Sequence, residues 1–527
     1  MQSVRHLLDP VADGSAATAG TASCRWSPTG GAAIAPVRRA GIVARAVVAG
    51  AVARRAVAVV ALAAAALAAL LYPVPAMAQD PVADPVLLAL RQSGVLPGDY
   101  GLVVRAIDGD GLAVSHNADI PFNPASTMKL VTTHAAIGLL GSDYRWITGI
   151  YTTGRIEDGA LHGDLVIKGG GDPKLVIEDV NELVTKLRAG GLRDIRGDLV
   201  IDDAIYGAGS DRQPSFDGDD SQPYNVPPYG ALMNFKATRF IIDPRKRRVV
   251  LDPPLADVRI DNQVRVLNGR CRRGDTGFAI EDAGTESTPV IRIRGSMVGA
   301  CGEQFFYAAA LSHRQYIHGF FKAAWMAAGG TLSGSTRVVK GAAQGAPYYE
   351  WHSPRTLGDV VRDINKFSNN VMARMLMLQM GARNARQPVS VDDARSAILD
   401  WYAARNVPLR SLVIENGSGL SRNERISAGD LTDVLVDASA GPEAILFQDS
   451  LPQVGIDGTM RNRMRRDPVV GHANIKTGTL RNVRAIAGYV RAASGIKYAV
   501  ALIVNGPHAD GARRAQEALL RWVHRNG

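Results

Sequence analysis

Cysteine is scarce in this chain: three among 527 residues, with Cys24 far upstream of Cys271 and Cys301. No Cys/His cluster has the spacing of a metal site, so neither a metal nor a cofactor is expected. No glycine-rich loop suits a nucleotide, because Gly169-Gly170-Gly171 runs into Asp172-Pro173 with no G-K-[ST] behind it. Arg461, Arg463, Arg465 and Arg466 crowd together without interleaved aromatics, which reads as a solvated face and argues against nucleic acid. Internal repeats are missing, and so are long apolar runs. Residues 56–72 are seventeen in a row without a charge, short of the roughly 20 that span a bilayer comfortably.

That run has another use. Arg54-Arg55 precede it, Pro73 and Pro75 follow, and Ala76-Met77-Ala78 is a small-x-small cleavage site. The pattern is an export signal over residues 1–78, cleaved after Ala78, which places the mature chain in the periplasm. The arginine pair lacks the neighbours of a twin-arginine signal, so the general secretory route is expected. Residues 1–50 exceed what a leading region needs, as an over-extended start site would produce. Cleavage removes Cys24 and lowers the net charge from +10 to +5, since residues 1–78 hold seven Arg and two Asp. Cys271 and Cys301 remain as an even pair, expected to form a disulfide in an oxidising compartment, with two unpaired buried thiols as the alternative.

What the chain does have is three short motifs in order: Ser126-Thr127-Met128-Lys129, Ser368-Asn369-Asn370, and Lys476-Thr477-Gly478-Thr479. Each alone is weak. A second S-x-x-K occurs at Ser494-Gly495-Ile496-Lys497, and further S-x-N triplets at Ser115-His116-Asn117 and Ser421-Arg422-Asn423. Context separates them. Ser126 follows Asn123-Pro124-Ala125 and opens a helical run over 127–140 with an apolar stripe. Residues three apart share a helix face, so the Lys129 amine reaches the Ser126 hydroxyl. The helix start also offers unpaired N–H groups to a developing oxyanion. Ser494-Gly495, by contrast, reads as a hairpin turn between apolar runs at 485–490 and 498–504.

A serine hydroxyl needs a base, and lysine is one only when desolvation or another cation lowers its pKa. Lys129 and Lys476 converging on one cleft would lower each other's. The bland alternative makes Lys129 a solvated helix lysine. Ser368-Asn369-Asn370 interrupts helical spacing over 357–380, where Asn369-Asn370 argue for a kink or loop. It is either a proton relay with a carbonyl-holding amide or a polar break in a core helix. Lys476 begins a strand read over 476–490, whose open edge suits an extended peptide. Gly478 keeps that edge uncluttered, and Lys476 and Thr477 suit a carboxylate; otherwise they merely cap a strand.

Ser126 and Ser368 stand 242 residues apart yet must line one cleft, so a large segment loops out between them. Short β-like runs at 165–168, 199–202, 248–251 and 290–294 lie in it, and the Gly/Pro-containing stretch 341–354 marks the return. The expected plan is a catalytic domain over 82–145 and 345–527 with 146–344 inserted. An α/β (α+β) fold follows: an antiparallel sheet flanked by helices, with inserted β-rich domains. Its last strands are placed at 484–490 and 498–504, and a closing helix at about 510–524.

The ordered S-x-x-K, S-x-N and K-T-G set resembles the penicillin-binding proteins and serine β-lactamases. More closely, the chain is similar to the low-molecular-mass class C penicillin-binding proteins, the D-alanyl-D-alanine carboxypeptidase/endopeptidases of peptidase family S13. Gly169 to Pro173, Pro227-Pro228, Asn416 to Arg422, Leu451-Pro452 and Gly455 to Thr459 agree with it. The resemblance implies that Ser126 is acylated with Lys129 as base, that Ser368 shuttles a proton, and that Asn370 orients substrate. It implies that Lys476 and Thr477 bind the terminal carboxylate, and that the backbone N–H groups of Ser126 and Thr479 form the oxyanion hole. An acidic residue of the insert, best matched by Asp219, would meet the side-chain amine of the stem peptide, and Arg422 would line the cleft. Two nested insert domains are also implied. The chain departs in having Asn416 where Asp is frequent, and Ser-Asn-Asn where Ser-Asp-Asn is commoner. The implied partners are peptidoglycan stem peptides ending in D-Ala-D-Ala, with β-lactams as covalent inhibitors, and a modestly basic surface suits an anionic polymer. The competing readings are a β-lactamase and an idle peptidoglycan-binding scaffold. Against the first, no E-x-x-x-N deacylation loop stands out between Ser126 and Ser368. Against the second, a pure binder has no need for a nucleophile.

Overall fold

Five strands rich in Val, Ile and Ala form one antiparallel sheet in the order Ala113–His116, Tyr100–Ala106, Lys497–Asn505, Val483–Arg491, Ala473–Leu480. This computed structural model describes residues 84–527 except 108–110, 112, 207–214, 273, 275, 276 and 384–386. The export signal expected over 1–78, Cys24 included, lies outside the described residues. In the strand Lys497–Asn505 every residue between the two ends is buried, as expected of a strand covered on both faces. Ala499, Ala501 and Ile503 join a core built with the helices Lys129–Leu140, Leu357–Phe367, Asn370–Ala382, Val391–Ala404 and Ala428–Ala440. The alternate residues Val500, Leu502 and Val504 are buried on the opposite face. The helices Asp84–Gln92 and Arg513–Asn526, from the two ends of the described chain, pack on each other.

The strand read over 476–490 is two strands. Ala473–Leu480 and Val483–Arg491 pair in register from Ala473↔Val490 to Leu480↔Val483, with the turn at Arg481-Asn482. Asn482 supplies the left-handed residue, φ 63°. Without Gly or Pro that turn carried little signal in the sequence. Val483–Arg491 and Lys497–Asn505 form the hairpin expected around Ser494-Gly495.

Between the catalytic motifs lies a second core running from Ile150 to Trp351. Its five-stranded sheet has the order Thr336–Val339, Leu199–Asp202, Leu165–Lys168, Ile147–Thr152, Tyr349–His352. Tyr349–His352 falls in the stretch expected to return the chain, and it pairs antiparallel with Ile147–Thr152, the first strand of the segment. The division is not clean, because Val176, Tyr206, Val226 and Phe235 pack into the first core. A four-stranded sheet in the order Thr331–Leu332, Asp194–Ile195, Ala160–His162, Arg155–Glu157 and two three-stranded sheets are also part of the insert, and Cys271 is joined to Cys301 across a separation of 30 residues. Loop closure of that length contributes up to about 3–4 kcal/mol. Cys271→Ser is therefore expected to lower the insert's midpoint in urea by a margin that reductant reproduces in the parent protein, with the Ser126 region untouched.

Candidate active site

Ser126 sits in a 3-10 turn, Ala125–Met128, that feeds the helix Lys129–Leu140. Ala125 is held at φ 45°, a left-handed conformation that a non-glycine residue keeps only where its surroundings impose it. Asn123 does so: its side-chain oxygen accepts the Ala125 N–H at 2.9 Å, and its amide donates to the Ser421 carbonyl at 2.8 Å. The helix was expected to be apolar along one stripe. Instead all residues from Lys129 to Ile137 are buried, so it is a central helix and its polar side chains must find partners inside.

Lys129 finds three. Its Nζ lies 3.0 Å from Ser126 Oγ and 2.7 Å from Asn370 Oδ1, and it also meets the Ser418 carbonyl. Burial drives its pKa well below the ordinary lysine value, the Lys476 charge lowers it further, and only Glu424 pulls it back appreciably. A neutral amine has two N–H bonds and one lone pair. Asn370 Oδ1 and the Ser418 carbonyl only accept, so they take both hydrogens and the lone pair is left for the Ser126 hydroxyl.

The loop that carries Ser418 was legible only as a resemblance. Asn416 Oδ1 accepts the Ser418 N–H at 2.9 Å and its hydroxyl at 2.7 Å, while Thr132 donates to the Gly417 carbonyl at 2.7 Å. The acceptor used is an oxygen that Asn and Asp both possess, which is why Asn416 serves here. It also adds no negative charge beside Lys129. Gly419, at φ +80°, passes so close that a Cβ would lie 1.9 Å from the Ala125 carbonyl. Beneath the loop, fully buried Glu424 accepts the N–H groups of Glu415, Asn416 and Gly417 at 2.9–3.0 Å. Burial pushes its carboxyl up, against those hydrogen bonds and Lys129. No sequence feature pointed to Glu424, because what it touches is backbone.

The helical run read over 357–380 is broken where the middle motif falls. Ser368 ends Leu357–Phe367 in a left-handed conformation, φ 58°. Asn369 then caps Asn370–Ala382, its side chain accepting the Met372 N–H at 2.9 Å. The reversal turns Ser368 Oγ toward Lys476, whose Nζ donates to it at 2.8 Å and to the Thr477 carbonyl at 3.0 Å. Lys476 is fully buried, and desolvation lowers its pKa to about 7. Thr477 Oγ1 donates to Thr459 Oγ1 at 3.0 Å, giving Thr459 a place in the site that spacing did not reveal.

Ala473–Leu480 is the sheet's edge strand. Its first half is covered: Ile475 donates to the Pro452 carbonyl at 2.7 Å, and Val454 to the Ala473 carbonyl at 2.9 Å. Antiparallel alternation then points the Thr477 and Thr479 N–H groups to the same outer side, where nothing in this chain pairs with them among the described residues. Gly478 does more than leave an edge clear. A Cβ there would stand 2.6 Å from the Pro124 carbonyl and 3.1 Å from the Ser126 nitrogen. The strand can approach the nucleophile turn only because that atom is missing. Gly478→Val is expected to push the two apart, lowering the acylation rate by more than about tenfold and the melting temperature with it; stopped-flow and thermal melts check both.

Asp219 lies in a loop whose Asn225 carbonyl faces Arg374 of the helix Asn370–Ala382 at 3.5 Å. Its carboxylate accepts from the Ser221 hydroxyl at 2.6 Å and the Gln222 amide at 2.8 Å. Partial burial pushes its pKa up, but those bonds hold it below the ordinary value. Arg422 is exposed, stacks over Phe216 of the same loop at 4.4 Å, and donates to the Arg481 carbonyl. Phe216, Ala125, Leu420, Leu480 and Val483 form one small apolar cluster, which brings this insert loop to the nucleophile turn. Arg463 corrects the solvated reading of its cluster. It is turned inward against the C-terminal helix, 3.3 Å from both Gln516 and Glu517.

A serine hydroxyl facing a desolvated amine, beside the open edge of an antiparallel sheet, is the apparatus of a serine hydrolase of the penicillin-binding-protein and β-lactamase fold. The family model for the D-Ala-D-Ala carboxypeptidase 3 (S13) family matches residues 87–526, and the chain belongs to that family. It is 27% identical over 421 residues to a D-alanyl-D-alanine carboxypeptidase of Actinomadura sp. strain R39, covering 75% of this chain and 76% of that one. It is 26% identical over 474 residues to carboxypeptidase DacB of Mycolicibacterium smegmatis, covering 85% and 86%. The crystal structure of penicillin binding protein 4 (dacB) from Haemophilus influenzae superimposes with a TM-score of 0.70 at 21% identity, covering 83% of this chain and 99% of that one. No described helix is long and apolar enough to cross a membrane.

Proposed function

We propose that this protein is an exported DD-peptidase that cuts peptidoglycan stem peptides through an acyl-enzyme on Ser126. The observation that carries this reading is the set of contacts around Lys129, which commits its lone pair to Ser126 Oγ. A stem peptide would lie along the open edge beside Thr477 and Thr479, with its terminal carboxylate toward Lys476 and Thr477. Lys129 engages the Asn370 oxygen, and the amide N–H₂, with no partner among the described residues, can hold a substrate carbonyl. Lys129 takes the Ser126 proton as Oγ attacks the D-Ala–D-Ala carbonyl, and the oxyanion falls between the backbone N–H groups of Ser126 and Thr479. Ser368, joined to Lys476, passes a proton to the leaving D-Ala nitrogen. Water then resolves the acyl-enzyme. Where the leaving amine belongs to a cross-linked stem, the same steps give endopeptidase activity. Asp219 of the insert and Arg422 of the catalytic unit, which stacks on Phe216 of the Asp219 loop, border the cleft and bind the remainder of the stem. The domain plan proposed is a catalytic unit over 82–145 and 345–527 with 146–344 inserted. The Haemophilus protein has also been crystallised with a β-lactam, and covalent penicillin binding at Ser126 is proposed by analogy.

Intact-mass spectrometry with benzylpenicillin tests the reading. A stable adduct of one penicillin per chain supports it. Hydrolysis with no adduct favours a β-lactamase, and no reaction favours a scaffold.

The pH dependence has a definite sign. Lys476 attracts a carboxylate only when protonated, and with its pKa near 7 the charge is present below neutrality and lost above it. Lys129 must be neutral and fails as pH falls through its own lowered value. The second-order acylation constant is expected to be bell-shaped, with an alkaline limb centred near 7 that Lys476→Ala lacks. A profile flat through pH 9 would remove Lys476 from recognition.

A further inference from the structure

Beside the Ser126 cleft lies a cavity of about 400 Å³ lined by charged, amide and imidazole side chains with one tyrosine. It opens on the sheet face that carries Lys476. Asn474 stands two residues before Lys476, about 7 Å along the same strand, and its register partner is Tyr489. Two residues on, Arg491 is paired directly with Lys497. All three line the cavity together with Asn474.

Like charges directly opposite on neighbouring strands cost stability unless something neutralises them. Among the described residues no carboxylate pairs with either. There Arg491 has the Gly495 carbonyl at 3.4 Å, and Lys497 lies over the Tyr489 ring at 5.7 Å. Across the cavity, on Leu357–Phe367, Arg362 has no hydrogen bond or ion pair among the described residues. One turn along, Lys366 is already satisfied by Asp457 and the Leu451 carbonyl, both at 2.6 Å. Among the described residues Asp449 is the one lining carboxylate without a partner. Three cations without a carboxylate partner among the described residues, held on one helix and two paired strands, therefore converge on a space large enough for a few peptide residues, with the Asn474 and Gln448 amides at hand for peptide groups.

We propose that this cavity binds the carboxylate end of a stem peptide neighbouring the one being cut, and so anchors polymeric peptidoglycan while Ser126 works. The inference rests on the DD-peptidase reading above. A polymer with many stem peptides offers a second carboxylate nearby; a soluble peptide has one terminal carboxylate, which the Ser126 cleft takes. Charges at such a rim act on the encounter and on its salt dependence more than on the chemical step.

The test is the double variant Arg491→Glu/Lys497→Glu, with Arg491→Lys/Lys497→Arg as its charge-conserving control. KM on cross-linked polymeric peptidoglycan is expected to rise about tenfold and to lose most of its salt dependence. Penicillin acylation and kcat/KM on a soluble D-Ala-D-Ala peptide are expected to stay within about twofold, as is the control on all three substrates. An unchanged KM on polymer overturns the proposal, and so does an equal loss on the soluble peptide, which would mark a structural role. A parent protein that neither binds penicillin nor cuts the soluble peptide would overturn the DD-peptidase reading, and this proposal with it.

Discussion

Ser126→Ala is expected to abolish acylation: no penicillin adduct by intact mass, and turnover of a D-Ala-D-Ala peptide lowered by about 10⁴-fold or more. The side chain removed is small and, among the described residues, makes one hydrogen bond, with Lys129. Its loss deletes the attacking atom without opening a cavity. The melting temperature is therefore expected to stay close to the parent's, which separates lost chemistry from lost fold. Full turnover by this variant would end the mechanism proposed above.

Replacing Lys129 tests the other half of the step. Lys129→Met comes within one heavy atom of the side chain's length and removes the amine with its lone pair, and acylation is expected to fall by about 10³-fold or more. Lys129→Arg is the sharper comparison. A guanidinium supplies charge and N–H donors to Asn370 and the Ser418 carbonyl but stays protonated, so it has no lone pair for Ser126. If Lys129 acts as a base, both variants fail alike in single-turnover acylation. Substantial activity in the arginine variant would show that charge, not basicity, is what the site requires. Stability is expected to fall less than activity in the methionine variant, because the desolvation of a buried amine disappears together with its hydrogen bonds.

Some of this site could be read from spacing alone. Ser126 and Lys129 are three apart at a helix start, and that periodicity puts them on one face wherever the helix lies. The break within 357–380 was foreseeable from two asparagines, although the sequence did not show that Asn369 would be the cap and Ser368 the left-handed residue. Turn chemistry without Gly or Pro misled the reading at Arg481-Asn482, and local composition misled it at Arg463, whose partners Gln516 and Glu517 lie over fifty residues away. Glu424 left no trace, and the loop of Ser418 showed only as a resemblance without its contact to Lys129, since Glu424 accepts from backbone groups and the Ser418 carbonyl acts across 289 residues from Lys129.

Taken by itself, the sequence determined the order of the motifs, the helix start that bears Ser126 and Lys129, the even pair Cys271 and Cys301, and the family. Those properties are local or cumulative: a helical period, a turn residue, a count. Tertiary structure alone decided that Lys129 is enclosed by Asn370 and the Ser418 carbonyl, that Gly478 is the point of contact between strand and nucleophile turn, and that Arg362, Arg491 and Lys497 share one cavity. The physical reason is desolvation and close approach. Both depend on what the rest of the chain places within a few ångströms, and a linear sequence does not state that distance.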